Sequence, residues 1–225
     1  MPRRSRIVLP GVPHHITQRG NYRHRTFFDD DDREFYLERL HYYSCLNGLK
    51  IAAYCLMDNH THLSVIPESN DSLRLTFSPL HMTYSQHLNK KFKRNGINWQ
   101  GRFFSSPMDE EYTWITFQYI ALNPVRAGII SEPALYKWSS AASHLGLRTE
   151  KFLTADQKWL DMAYRAISEI SNGVSDTNSL NKFDYIDNTL HANLPLGSEE
   201  FIGELENRIG RKLRFRLPGR PKKMI

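Results

Sequence analysis

Two apolar runs separated by only two residues constrain this 225-residue chain more than any other feature. Residues 49–57 and 60–66 flank Asp58-Asn59, and both runs carry β-branched, aromatic and other apolar residues that suit a pleated, half-buried surface. Asp and Asn tolerate the backbone of a tight turn, so the spacing predicts a hairpin. Side chains alternate along a strand, which puts His60 and His62 on one side, about 7 Å apart. Two imidazoles on one face suit a divalent ion if a third oxygen or nitrogen donor arrives from elsewhere. The plainer reading of such a pair is surface decoration or a mutually satisfied pair.

The pattern around the hairpin predicts alternating elements. His14–Arg19 reads as a strand between Pro13 and Gly20-Asn21. Asp29 to Asp32 open a helix that continues through Phe35, Leu37, Leu40, Tyr43 and Leu46 toward Gly48. After the hairpin a helix runs from about Asp71 to Arg94, broken or kinked at Pro79 and ended by Asn95-Gly96. Ile97 to Met108 look extended. The order β-α-β-β-α-β-α predicts an α+β fold of ferredoxin-like type, an antiparallel sheet covered by helices.

Residues 109–130 begin with acids and close on Gly128, the usual punctuation of a helix. Trp114, Ile115, Gln118, Tyr119, Leu122 and Asn123 fall at helical spacings, and Tyr119 and Asn123, four apart, share a face. A phenol and a carboxamide aimed at two histidines would form a compact site, with Tyr119 as nucleophile and the Asn123 oxygen as third ligand. Equally, Tyr119 fits a half-buried helix aromatic and Asn123 a C-terminal cap before Pro124.

Charge is uneven. The net charge is +6, yet residues 1–25 hold six Arg and no acids, and residues 208–225 hold eight Lys or Arg and no acids. Removing those 14 from 30 basic residues leaves 16 against 24 acids, or −8, for residues 26–207. Two cationic ends suggest contacts with nucleic-acid phosphates, which give affinity and salt dependence; solvated tails are the plainer alternative. Cys45 and Cys55 are the only cysteines, too few for a disulfide framework or a cysteine-based zinc site. No signal peptide and no membrane-length apolar stretch is evident, so the expected setting is a bacterial cytoplasm beside the nucleoid, away from any membrane.

Met57-Asp58-Asn59-His60-Thr61-His62-Leu63 resembles the histidine–bulky–histidine (HUH) signature of single-tyrosine, IS200-like transposases. Trp99-Gln100-Gly101-Arg102-Phe103, the run from Tyr119 to Gly128, and Trp138-Ser139-Ser140 resemble further blocks of that family, in order, over roughly residues 7–146. The match is closest to the branch associated with repetitive extragenic palindromes (REP). Thr61 stands where a bulkier apolar residue is common, on the face away from the histidines. The resemblance implies the same ferredoxin-like fold and a metal-dependent strand transfer on hairpin-bearing single-stranded DNA. Tyr119 would form a 5′-phosphotyrosine link, with Mg²⁺ or Mn²⁺ held by His60, His62 and Asn123. It leaves open a monomer or a homodimer in which the tyrosine serves the partner's histidines. A DNA-binding regulator that does not cut, and a relaxase or replication-initiator nuclease with the same ligands, are the alternatives.

Candidate DNA contacts are Arg3, Arg4, Arg6, Arg19, Arg23, Arg102, Arg126, Arg211, Arg220, Lys222 and Lys223. Arg102 fits a carboxylate partner nearly as well, and Arg126 a helix-end charge. Tyr22, among Arg19, Arg23 and Arg25, suits stacking on an unpaired base. His14 and His15, on opposite sides of their strand, are expected in structural or DNA-facing roles, and His81 and His87 as packing or surface residues. Beyond the catalytic domain, residues 1–146, come a helical extension and linker, 147–197, and a short helix with a basic tail, 198–225. Residues 156–172 look helical, Ser171 to Asn188 read as loop or linker, and Ser198 opens the last helix. Gly219-Arg220-Pro221 with its lysines resembles an AT-hook, a minor-groove element; a plain basic tail is the simpler reading.

Overall fold

The computed structural model describes residues 6–171 and 177–214. Four strands, β1 (His14–Arg19), β2 (Leu49–Met57), β3 (His60–Pro67) and β4 (Phe104–Pro107), form one antiparallel sheet in the order β2-β3-β1-β4. Helices α1 (Asp30–Leu46) and α2 (Ser72–Lys91) complete a β-α-β-β-α-β unit, and α3 (Glu110–Arg126) follows it. The α+β, ferredoxin-like expectation holds.

The hairpin is built as its sequence suggests. Met57 pairs with His60 across Asp58-Asn59, and the Asp58 carbonyl accepts the amides of Thr26 and Phe27. Arg33 of α1 forms an ion pair with the Asp58 carboxylate, fixing the turn against the helix. α1 starts at Asp29, whose carboxylate accepts the Asp32 amide at 3.1 Å.

One face of the sheet packs on α1 and α2. Ile16 and Leu63, cross-strand partners, are fully buried, and the rings of Phe27, Tyr36, Tyr84 and Trp99 lie edge-on or tilted 5.2–6.4 Å apart. α2 runs unbroken through Pro79, contrary to the expected break. Proline removes one helical hydrogen bond, but Phe77, Leu80, Tyr84 and Leu88 are buried along the same helix and hold it. His81 is a packing residue here, 5.1 Å from Trp99, and His87 meets the Asp32 carboxylate. Within Ile97 to Met108 the strand is β4, and Trp99 and Met108 make single bridges to Gly20 and Leu196.

The other face carries α3, α5 (Gln157–Ser171) and α6 (Thr177–His191); a short helix α4 (Ala141–His144) lies between α3 and α5 in sequence. α6 falls where the sequence reads as loop, because Phe183, Ile186 and Leu190 give an otherwise polar segment one buried helical face. α7 (Glu199–Ile209) begins at Ser198, whose hydroxyl accepts the Phe201 amide. Asp109 caps α3 through one oxygen and accepts the Ser198 amide through the other, at 2.9 and 2.7 Å. Ile7 and Leu9 pack with Ile202, Leu205 and Leu213, joining the start of the chain to α7. Among the described residues no helix is long and apolar enough to cross a membrane.

Candidate active site

Antiparallel pairing places Arg19 opposite His60, Thr17 opposite His62 and His15 opposite Ser64. Paired residues share a face, so β1 and β3 present His15, Arg19, His60 and His62 together. α3 lies over this face. The Tyr119 ring packs 5.2 Å from His62 and 5.5 Å from His15, and His60 and His62 lie 4.9 Å apart, centroid to centroid. The tyrosine thus meets the histidines of its own chain.

Asn123 is an interior residue of α3, since the helix continues through Pro124 to Arg126 and Gly128 follows with φ 69°. Its amide NH₂ donates to the Tyr119 carbonyl at 2.8 Å, and its side chain also hydrogen-bonds His60. The cap alternative is therefore set aside. Arg126, seven residues beyond Tyr119, lies 5.3 Å over the phenol ring.

Both imidazole Nδ1 atoms are occupied. His60 Nδ1 pairs with Asn59 Oδ1 at 2.5 Å, and His62 Nδ1 with His15 Nε2 at 2.9 Å. Among the described residues His62 Nε2 is buried without a hydrogen-bond partner. Burial is the chief cause that lowers His60 to about 4 and His15 to about 3, with His191 adding to both and Arg19 to His60; His62 is held well below its ordinary value. All three are neutral near pH 7, the form that ligates metal. Among the described residues no three His, Cys, Asp or Glu side chains are grouped to share an ion. A divalent ion here would rest on two imidazoles and the Asn123 amide oxygen, and the orphaned His62 nitrogen fits that role.

α6 closes the site. Asp187 accepts the Tyr119 hydroxyl at 2.5 Å, and Phe183 packs 5.4 Å from its ring. Burial, then the Asp187 carboxylate, push the phenol upward, while Arg126 and Asn123 act the other way. His191 meets Phe104 of β4 at 4.9 Å.

A family model described as "Transposase IS200 like" matches residues 10–123, more than half of the chain. The chain belongs to the IS200-like transposase family. No curated protein matches the sequence significantly. Among solved structures, a REP-associated tyrosine transposase bound to a REP hairpin superposes with TM-score 0.51 at 15% identity, covering 68% of this chain and 98% of that one. A candidate transposase from Deinococcus radiodurans R1 gives 0.37 at 19% identity, over 53% and 95%. The first of these shares the fold of this transposase.

The structure brings together His60, His62, Tyr119, Asn123, Arg19 and Arg126. Arg23 lies in the turn after β1, where Tyr22 and Arg23 have φ of 51° and 60° and Tyr22 is 83% exposed. Arg6, Arg102 and Arg211 line a separate cavity bounded by Phe104 and Ala192. Arg3, Arg4, Arg220, Lys222 and Lys223, with the AT-hook-like segment, lie outside the described residues. Sequence reasoning missed His15, Asp187 and His191. The expectation for His14 holds, since its ring bonds the Val12 carbonyl and the Leu9 amide. His15 belongs with the histidine cluster, because the β1–β3 register turns it toward His62.

Proposed function

We propose that this transposase cleaves and rejoins hairpin-bearing single-stranded DNA through Tyr119, assisted by Mg²⁺ or Mn²⁺ on His60, His62 and Asn123. The observation that carries this reading is the convergence on one sheet face of a phenol, two neutral imidazoles and a carboxamide from the phenol's own helix face. The REP hairpin bound by the structural neighbour supports a hairpin substrate.

A divalent ion at that position would draw charge from a non-bridging phosphate oxygen and orient the phosphorus for in-line attack. Tyr119 Oη forms the new bond to phosphorus while the bond to the 3′ oxygen breaks. That oxygen takes up a proton, leaving a 3′-hydroxyl and a 5′-phosphotyrosine. The link retains the phosphodiester bond energy, so a second 3′-hydroxyl can reverse the step on another strand. The phenol must first give up its proton, and Asp187 Oδ1 is the acceptor already in contact. Arg126 above the ring favours the resulting phenolate.

A non-cleaving DNA-binding role is the second reading, favoured by the same Tyr119–Asp187 contact, which holds the phenol protonated beneath α6. One experiment separates the two. Hairpin oligonucleotides are incubated with Mn²⁺ or Mg²⁺ and resolved on a denaturing gel. A protein–DNA adduct that disappears in Tyr119→Phe is expected. Absence of adduct across a panel of hairpins supports the non-cleaving role, and an adduct that survives Tyr119→Phe moves the nucleophile elsewhere.

A further inference from the structure

Beside the histidine cluster, on the far side of Phe104 and His191, lies a cavity of about 380 Å³ that no step above uses. That volume is within the range of small-molecule sites. Three arginines from three distant segments line it: Arg6 near the start of the chain, Arg102 before β4, and Arg211 after α7. Among the described residues none of those that line it is an acid, although residues 26–207 carry an excess of acids.

The walls are held in place. The Arg6 guanidinium lies over the Phe103 ring, 3.7 Å from its centroid, and donates through Nε and Nη2 to the Phe103 carbonyl at 3.1 and 2.8 Å. Gln18 of β1 donates to the Gly101 carbonyl at 3.0 Å, fixing the turn that carries Arg102. Asn193 sits in left-handed backbone, φ 53°, two residues after α6, and its side-chain oxygen accepts the Ser105 amide. Its NH₂ and the Gln100 carboxamide add amide groups to the lining. Burial, then the neighbouring Arg102 charge, lower Arg6 to about 10, so the two cations lie within reach of one another.

Planar guanidinium groups stack on nucleobases and pair with phosphate, while carboxamides read base edges. We infer that this cavity receives one nucleotide of the single-stranded DNA, its phosphate against the arginines and its base against the Arg6–Phe103 stack. The inference rests on the DNA reading above but needs no cleavage. Its place next to Phe104 and His191 would hold that nucleotide beside the histidine cluster, so an unpaired segment is anchored close to where Tyr119 acts.

The test uses full-length Tyr119→Phe protein with EDTA, so that only binding is read. A labelled hairpin oligonucleotide with single-stranded flanks is titrated by fluorescence anisotropy, each flank nucleotide replaced in turn by an abasic residue. One position is expected to lose about tenfold in affinity when its base is removed. In the Gln100→Ala/Arg102→Gln variant, both positions being exposed, that penalty should shrink below about twofold. The same variant should reduce the salt slope by about one counterion. A uniform response at all positions, or a penalty unchanged in the variant, overturns the nucleotide cavity and leaves a plain phosphate patch. A thermal melt confirms that the variant is folded. Adduct formation in the wild type is scored separately, so the cavity and the cleavage reading can fail independently.

Discussion

The two faces of the β1–β3 pair use neighbouring residues for opposite ends. Toward α1 and α2 the strands present Ile16, Leu63 and Val65, all buried and apolar. Toward α3 and α6 they present His15, Arg19, His60 and His62, largely buried too, yet polar. Burial of polar groups costs free energy unless each finds a partner, and this face is satisfied only in part, through Asn59, Asn123 and the His15–His62 pair; among the described residues His15 Nδ1, Arg19 Nε, His62 Nε2 and Ser64 Oγ have no partner. The apolar face secures the fold, and the polar face holds the candidate site at some cost to stability.

The contrast can be broken by paired substitutions. His62→Gln should reduce adduct formation by roughly a thousandfold or more while moving the melting temperature only a few degrees. Leu63→Ala, one residue along, should do the reverse: about 3 kcal/mol of stability lost, near 8 °C, with adduct per folded molecule unchanged. If both substitutions damage stability and activity alike, the division of labour between faces is wrong.

Acid should act through the buried histidines, His14 on the side of Ile16 and Val65, His15 and His60 on the other. His14, lowered to about 4 by burial, binds its proton less readily in the folded chain than in the unfolded one. Its contribution is therefore complete above pH 6.5 and is lost as pH falls toward 4, about 3 kcal/mol at the lower limit. His15 and His60 act in the same direction. Melting followed from pH 7 to pH 4 should fall steeply over that window, and a flat profile would contradict neutral burial. Asp187→Ala should bring the Tyr119 phenol down, read by ultraviolet titration against the parent protein. At fixed pH adduct should form about as fast or faster if α6 mainly restrains the phenol, and about tenfold slower if Asp187 mainly accepts its proton. The smallest effect expected is that of Ser198→Ala, about 1 kcal/mol or near 3 °C, from loss of the α7 cap.

What the sequence made legible was local. β1, the hairpin, the start of α1 at Asp29 and the cap at Ser198 all follow from alternation, turn residues and capping side chains within a few positions. Tyr119 and Asn123 were placed on one face by helical spacing alone. α6 was not, because Ser, Asn and Asp dominate residues 171–188 and conceal the spacing of Phe183, Ile186 and Leu190, which are buried in the folded chain. Asp187 reaches Tyr119 across 68 positions, a pairing no local pattern announces. His15 needed only the antiparallel register, which turns an adjacent histidine pair into one structural and one site residue.

The two-residue turn at Asp58-Asn59 acts as a reading frame. Inserting one residue there, with β3 still paired to β1, would advance the strand by one step and exchange its faces. Thr61 and Leu63 would then stand beneath Tyr119, and the two imidazoles would be pressed into the apolar layer of α1 and α2. Composition would be almost unchanged, but the molecule would lose its candidate site and much of its core together. The length of that turn is therefore under tighter restraint than the identity of most residues it connects.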